Sequence, residues 1–146
     1  MSALVAALSA VLALSGCVGP APTTQVYETK AVHTANDSLS ALQTALLSVR
    51  TSLDGRLMQA YLETVLSDSE DAFSSIQATF DSIQPPDTER ADQLRDELDK
   101  LLSDGGDGMA QLRILARRRD TAKLAAVAHE LAATAQGLDK FAQGPR

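Results

Sequence analysis

Apolar residues return at alternating steps of three and four positions in four separate stretches of this chain. No other feature of the sequence restricts its fold as tightly. The first stretch runs Val32, Ala35, Leu39, Leu42, Leu46, Val49, Leu53, and the second Leu62, Leu66, Ser69, Phe73, Ile76, Phe80, Ile83. The last runs Leu124, Ala128, Leu131, Ala135, Leu138 and ends near Phe141. Such a step places every member on one stripe of a helix, packed against its neighbours at near-coiled-coil geometry. No alternation of period two reaches useful length, so strands are not expected.

The breaks between the stretches carry turn chemistry. Asp54-Gly55 stops the first helix, with Gly supplying the left-handed residue. Pro85-Pro86 stops the second, because neither ring nitrogen can donate to the helical ladder, and Asp87 is placed to cap the third helix. Arg119-Asp120 forms the last turn, with Asp120 as cap, and Thr23 or Thr24 caps the first helix. The third stretch is harder, since Leu94, Leu98 and Leu101 meet Gly105-Gly106-Asp107-Gly108 before Leu112 and Leu115. Each glycine costs about 1 kcal/mol relative to Ala inside a helix, which argues for a turn there. Yet positions 94, 98, 101, 105, 108, 112 and 115 hold the alternation straight through the glycines, which a loop of arbitrary length would have lost. The expectation is one helix with a close-packing or kink site at the glycines; a break is the alternative. Helices at about 25–53, 56–84, 87–118 and 120–142 then fill one domain, 25–143. Short turns make it an all-α, up-down-up-down antiparallel four-helix bundle, a rod roughly 40 Å tall.

In front of the bundle, residues 2–15 carry no charge, and 3–14 hold only Ala, Leu, Val and Ser. A run of about a dozen apolar residues is too short to span a bilayer, which needs roughly 20, and has the length of a signal-peptide h-region. It ends on Leu14-Ser15-Gly16-Cys17. These four residues resemble the lipobox of bacterial lipoprotein precursors, and the likeness covers residues 1–17. The resemblance implies a signal peptide at 1–16, cleavage before Cys17, and a diacylglyceryl group on its thiol, with a third acyl chain such as palmitate on the freed amine. The departure from that family is an n-region of Met1-Ser2 without Lys or Arg; the expectation is an initiation site further upstream, with export relying on the amino terminus alone as the alternative. The other reading of this stretch is a buried N-terminal helix in which Cys17 is a small hydrophobe. Residues 17–24 form a short Pro-containing tether that keeps the bundle within roughly 20 Å of the lipid. Two or three acyl chains anchor stably where one does not. The anchor would put the first helix start, the Pro85-Pro86 turn and the C-terminus near the membrane, with Gly55 and Arg117–Arg119 at the far tip.

A domain of this length buries roughly two-thirds of its unfolded surface, enough for a core without disulfides. Cys17 is the one cysteine, so the domain after it has no thiol to pair. Net charge is −6 and uneven: residues 54–107 hold 14 acidic and 4 basic side chains, residues 108–146 hold 7 basic and 3 acidic. That asymmetry reads as helix faces pairing across a bundle, with a partner surface as the alternative. An acidic chain with few aromatics is a poor candidate for nucleic acid. The whole resembles the small all-helical envelope lipoproteins of actinobacteria, a likeness of pattern that implies no activity.

Few residues suggest chemistry. Arg117-Arg118-Arg119 is the densest basic run; it serves either as favourable charge at a helix C-terminus or as an anion-binding tip facing a partner. His33 and His129 fall on helices one and four at nearly matching expected heights, with Glu28 and Glu130 close in sequence, and are weak candidates for a divalent metal. The paired Glu-x-x-His of di-iron bundles and the Cys-x-x-Cys-His of covalent haem are both missing. Met58 and Met109 read as core filler, and Asp68-Ser69-Glu70-Asp71 as a solvated face or a complement to basic residues elsewhere. Serines lie near turns and on helix surfaces with no Gly-x-Ser-x-Gly, and the glycine run lacks the strand and Lys-Ser/Thr of a phosphate loop. The expectation is a non-catalytic, lipid-anchored interaction or structural module of the envelope, with no cofactor. Its expected attachment is to the membrane through Cys17, with an envelope protein as the candidate partner. The alternative is a bundle holding a small molecule or metal at the outer face of the membrane, in room left by its Ala- and Gly-rich stretches.

Overall fold

The structure is a computed structural model that describes Ala21 and residues 23–144; the lipobox-like residues 14–17 and the expected leader lie outside the described residues. Four helices follow in order: α1 (Thr24–Leu53), α2 (Gln59–Asp81), α3 (Glu89–Arg118) and α4 (Thr121–Gln143). They form an antiparallel four-helix bundle, and no strand occurs among the described residues. Helices of 30 residues make α1 and α3 about 45 Å long.

The caps follow the turn chemistry with one exchange. Thr23 Oγ1 accepts from the Val26 N–H at 3.2 Å, and Asp120 Oδ1 from the Lys123 N–H at 3.1 Å. At α3 the capping residue is Thr88, whose Oγ1 accepts from the Ala91 N–H at 3.3 Å, and not Asp87. The expected span 56–84 for the second helix is too long at both ends. After Gly55 (φ 70°) the chain needs residues 56–58 to re-enter the bundle. At the other end Pro85 cannot donate to the Asp81 carbonyl, and the Arg95 guanidinium takes that oxygen at 3.4 Å and the Ile83 oxygen at 3.0 Å. Ile83 is still buried, held by its N–H on the Phe80 carbonyl.

α3 runs unbroken through its glycines because large side chains from its neighbours fill them. A Cβ added at Gly105 would lie 2.5 Å from Phe73 Cζ, and one at Gly108 would collide with Leu131 Cδ1. The same exchange runs the other way at Gly137, where a Cβ would meet Leu101 Cδ2 at 2.6 Å. Burying a Phe or Leu side chain is worth roughly 1.5–3 kcal/mol, which outweighs the helix penalty of the glycine that admits it. At Gly105, Gly108 and Gly137 a neighbour's side chain therefore occupies the space that a Cβ would need.

The strict alternation drifts along this helix. The buried positions are Leu94, Leu98, Leu102, Gly105, Met109, Leu112 and Ala116, while Leu101, Gly108 and Leu115 are half-buried. A straight helix turns 3.6 residues at a time, so a 3.5-residue stripe slides sideways and extra steps of four restore it. In α1 the buried face is wider than the apolar stripe, because Ala31, Thr34, Ser38, Ala45 and Ser48 join it. Those small residues let α1 approach α2, α3 and α4 together, whereas no Cα of α2 comes within 8 Å of one of α4.

The first and last described residues lie at the same end of the bundle as the α2–α3 turn. Ala21 N–H donates to the Gln84 carbonyl at 3.3 Å, Thr24 and Thr88 hydroxyls bond at 3.0 Å, and Gly144 shares a groove with Glu28 and Arg90. At this end Tyr27 is fully buried against Phe80, with ring centroids 5.7 Å apart, and the Arg95 guanidinium lies 5.9 Å from the Phe80 centroid. Burial raises the Asp99 carboxyl above its usual range, and the Arg95 charge 3.4 Å away opposes the shift.

Candidate docking tip

The far end is built from two turns, residues 54–58 and 119–120. The second is tight because Arg119 adopts the left-handed conformation (φ 55°, ψ 30°), the position usually given to Gly. Its N–H donates to the Ala116 carbonyl at 3.0 Å and that of Asp120 to the Leu115 carbonyl at 3.1 Å, which closes α3. Asp120 then opens α4. Its carboxyl is held below the usual range by the Lys123 backbone N–H first, and further by the Lys123 side chain and the Arg118 charge. With Asp120 committed to these partners, the three arginines point outward. Arg117, Arg118 and Arg119 are exposed, and their side chains make no hydrogen bond or ion pair among the described residues.

Around them lies an apolar collar that the stripes do not reveal. Met58 is 78% exposed, Leu47 63%, Tyr61 57%, Leu53 43% and Ile114 40%. All five fall within about three turns of the far end of their helix or in the adjoining turn. Arg50 and Arg56 stand beside them, Arg56 on Asp54 at 3.0 Å. Met58 is thus not core filler, whereas Met109 is. The signal for the collar is an apolar residue off the stripe: Leu47, Met58, Tyr61 and Ile114 all miss the three-four spacing of their stretch. Leu53 lies on it, but the bundle ends there and nothing packs above it.

The remaining candidates scatter. His129 shares a groove of about 300 Å³ with Leu46, Arg50 and Asp54 near the tip. His33 lies 13 residues before Leu46 on α1, about 20 Å lower, so the expected matching of heights fails. The match arises only if α4 is counted from the end where α1 starts, whereas it descends from the other end. Among the described residues no group of three or more His, Cys, Asp or Glu could hold a metal ion. Within Asp68-Ser69-Glu70-Asp71 both readings hold: Asp68 and Asp71 are exposed, while Glu70 forms a two-pronged pair with Arg113 of α3 through Nε and Nη2. Cys17, Leu14, Ser15 and Gly16 lie outside the described residues, and no described helix is long and apolar enough to cross a membrane.

Comparison with protein-family models, with curated proteins and with solved structures finds no significant match. The geometry of the bundle and its tip carries the functional reading.

Proposed function

We propose that this chain is a lipid-anchored, non-catalytic interaction module of a bacterial cell envelope, which presents its far tip to a partner. The observation that carries the reading is the tip itself, where three exposed arginines without a side-chain hydrogen bond or ion pair share the end of the bundle with five exposed apolar side chains. Apolar groups in that number gathered at one place mark an interaction surface, where scattered ones would need no explanation. Arginine beside an aromatic residue is the composition of interface hot spots, and the positive charge selects an acidic counterpart. The lipobox-like residues ending at Cys17 support the anchor, and the N-terminal start of α1 at the end opposite the tip supports its orientation.

The test is photo-crosslinking from position 61 in the full-length lipidated protein, in intact cells, with and without Arg117→Ser, Arg118→Ser and Arg119→Ser. The expected result is one envelope component captured by the parent and lost in the triple variant. Capture that is indifferent to the arginines, or no capture, overturns the tip reading. Separately, Cys17→Ala should move the protein from the membrane to the medium; continued membrane association overturns the anchor.

A further inference from the structure

A second surface, of opposite charge, lies along the flank between α1 and α2. There Asp37, Ser40, Ala41 and Thr44 face Val65, Asp68, Ser69, Ala72 and Ile76 across an open groove of about 450 Å³. The groove exists because small residues oppose small residues: Ser40, Ala41 and Thr44 meet Ser69 and Ala72, so neither helix supplies a side chain that fills the gap. Helical spacing extends the same strip toward the tip, since Leu47 follows Thr44 by three positions and Tyr61 precedes Val65 by four. Both are exposed, so the strip ends in two large apolar groups that nothing in the bundle covers.

Two further observations say what fits. Asp37 and Asp68 stand on opposite walls, and neither has a basic partner among the described residues. α2 carries Glu63, Asp68, Glu70, Asp71 and Asp81 with no Lys or Arg, so no cation of its own offsets the walls. In the groove sits Ser69, only 6% exposed, whose hydroxyl makes no hydrogen bond among the described residues. That oxygen stays open to the groove, where an incoming polar group can bond it.

We infer that the α1–α2 groove docks a cationic amphipathic helix of another protein, laid lengthwise between its acidic walls. Large apolar side chains at helical spacing would supply the knobs that Ala41 and Ala72 leave unfilled, and flanking Lys or Arg would meet Asp37 and Asp68. A second copy of this chain fits worse, because a twofold pairing sets the acidic walls against themselves. The groove shares Leu47 and Tyr61 with the apolar collar of the tip but none of its arginines, and would work without Arg117, Arg118 and Arg119.

The experiment uses the full chain in zwitterionic nanodiscs, with empty discs as blank. The probe is a labelled 18-residue helical peptide of leucines on one face and lysines elsewhere, read by fluorescence anisotropy. The expected result is saturable binding that weakens at least about tenfold in Asp37→Lys/Asp68→Lys. Leu47→Ser/Tyr61→Ser should weaken it severalfold, and a peptide with Glu in place of Lys should not bind. Asp96→Lys/Asp107→Lys makes the same charge change on exposed positions of α3 and should leave affinity within about twofold. Circular dichroism of each variant confirms that the bundle is intact. Equal losses in the two Lys pairs mean diffuse electrostatic attraction and overturn the inference. So does indifference to Leu47 and Tyr61, or a concentration-dependent dimer that the groove variants abolish. Loss of tip capture with groove binding retained would discard the proposed tip and keep this site.

Discussion

The two flanks of α2 are built from similar inventories and come out opposite. Toward α3 a small residue faces a large one: Gly105 takes the Phe73 ring, and Glu70 grips Arg113. The Gln59 amide reaches the Ala116 carbonyl at 2.7 Å on the same side. Toward α1 small faces small, and a groove stays open. Small residues therefore do not predict looseness. What matters is whether the opposing helix offers a side chain to use the space, and that is a property of pairs, invisible in either helix alone.

The closed flank is broken most severely at its ring. Phe73→Ala should cost about 3–5 kcal/mol in urea unfolding, with Gly105→Ala alone costing about 1–2. Combined, the second change should reverse sign and stabilise, since its obstacle is gone and only helix propensity remains. An unchanged sign would mean that the ring does not occupy the glycine. Arg113→Ala, which leaves the Glu70 carboxylate without its two-pronged partner, should lower the urea midpoint in the same assay, by less than Phe73→Ala. Gly106→Ala should instead stabilise by about 0.5–1 kcal/mol, because its Cβ would find Gln77 Oε1 no nearer than 3.6 Å. A loss there would show the flank to be tighter than the distances say.

Asp99→Asn tests the α2–α3 end of the same side through pH. The folded state raises this carboxyl, so it binds its proton more tightly folded than unfolded. Its contribution is present below the unfolded pKa and lost as pH rises through the folded one. The variant should therefore lose less stability than the parent as pH climbs out of the acidic carboxylate range. A parallel pH profile counts against it. On the open flank Ala72→Leu should move stability by no more than about 0.5 kcal/mol, because the groove has room and the position is exposed.

Much of the fold can be read from spacing because helix existence depends on local periodicity. The steps alone place Phe73, Phe80, Leu98, Leu112 and Leu138 inward, and all are buried. The C-terminal end of α2 escapes local rules because a long-range partner, Arg95, takes carbonyls that those rules assign to a further helical turn. Tyr27, Ala31 and Ser38 lie off the stripe, and their burial comes from the closeness of α1 to three neighbours. At the tip the arginines are legible as a run of charge. Their apolar neighbours are not, since Met58, Tyr61 and Ile114 come from different parts of the chain and meet only at the rod's end.

The two far turns differ in how they would bear load. For a chain held at its N-terminal end, tension on residues 54–58 travels straight down α1 through covalent bonds and helical hydrogen bonds. Tension on Arg117–Arg119 has no such direct route. It must cross sideways from α3 and α4 into α1, shearing helix against helix before anything reaches the base. A partner gripping the first turn would pull on one helix, and a partner gripping the arginines would strain the whole bundle in shear.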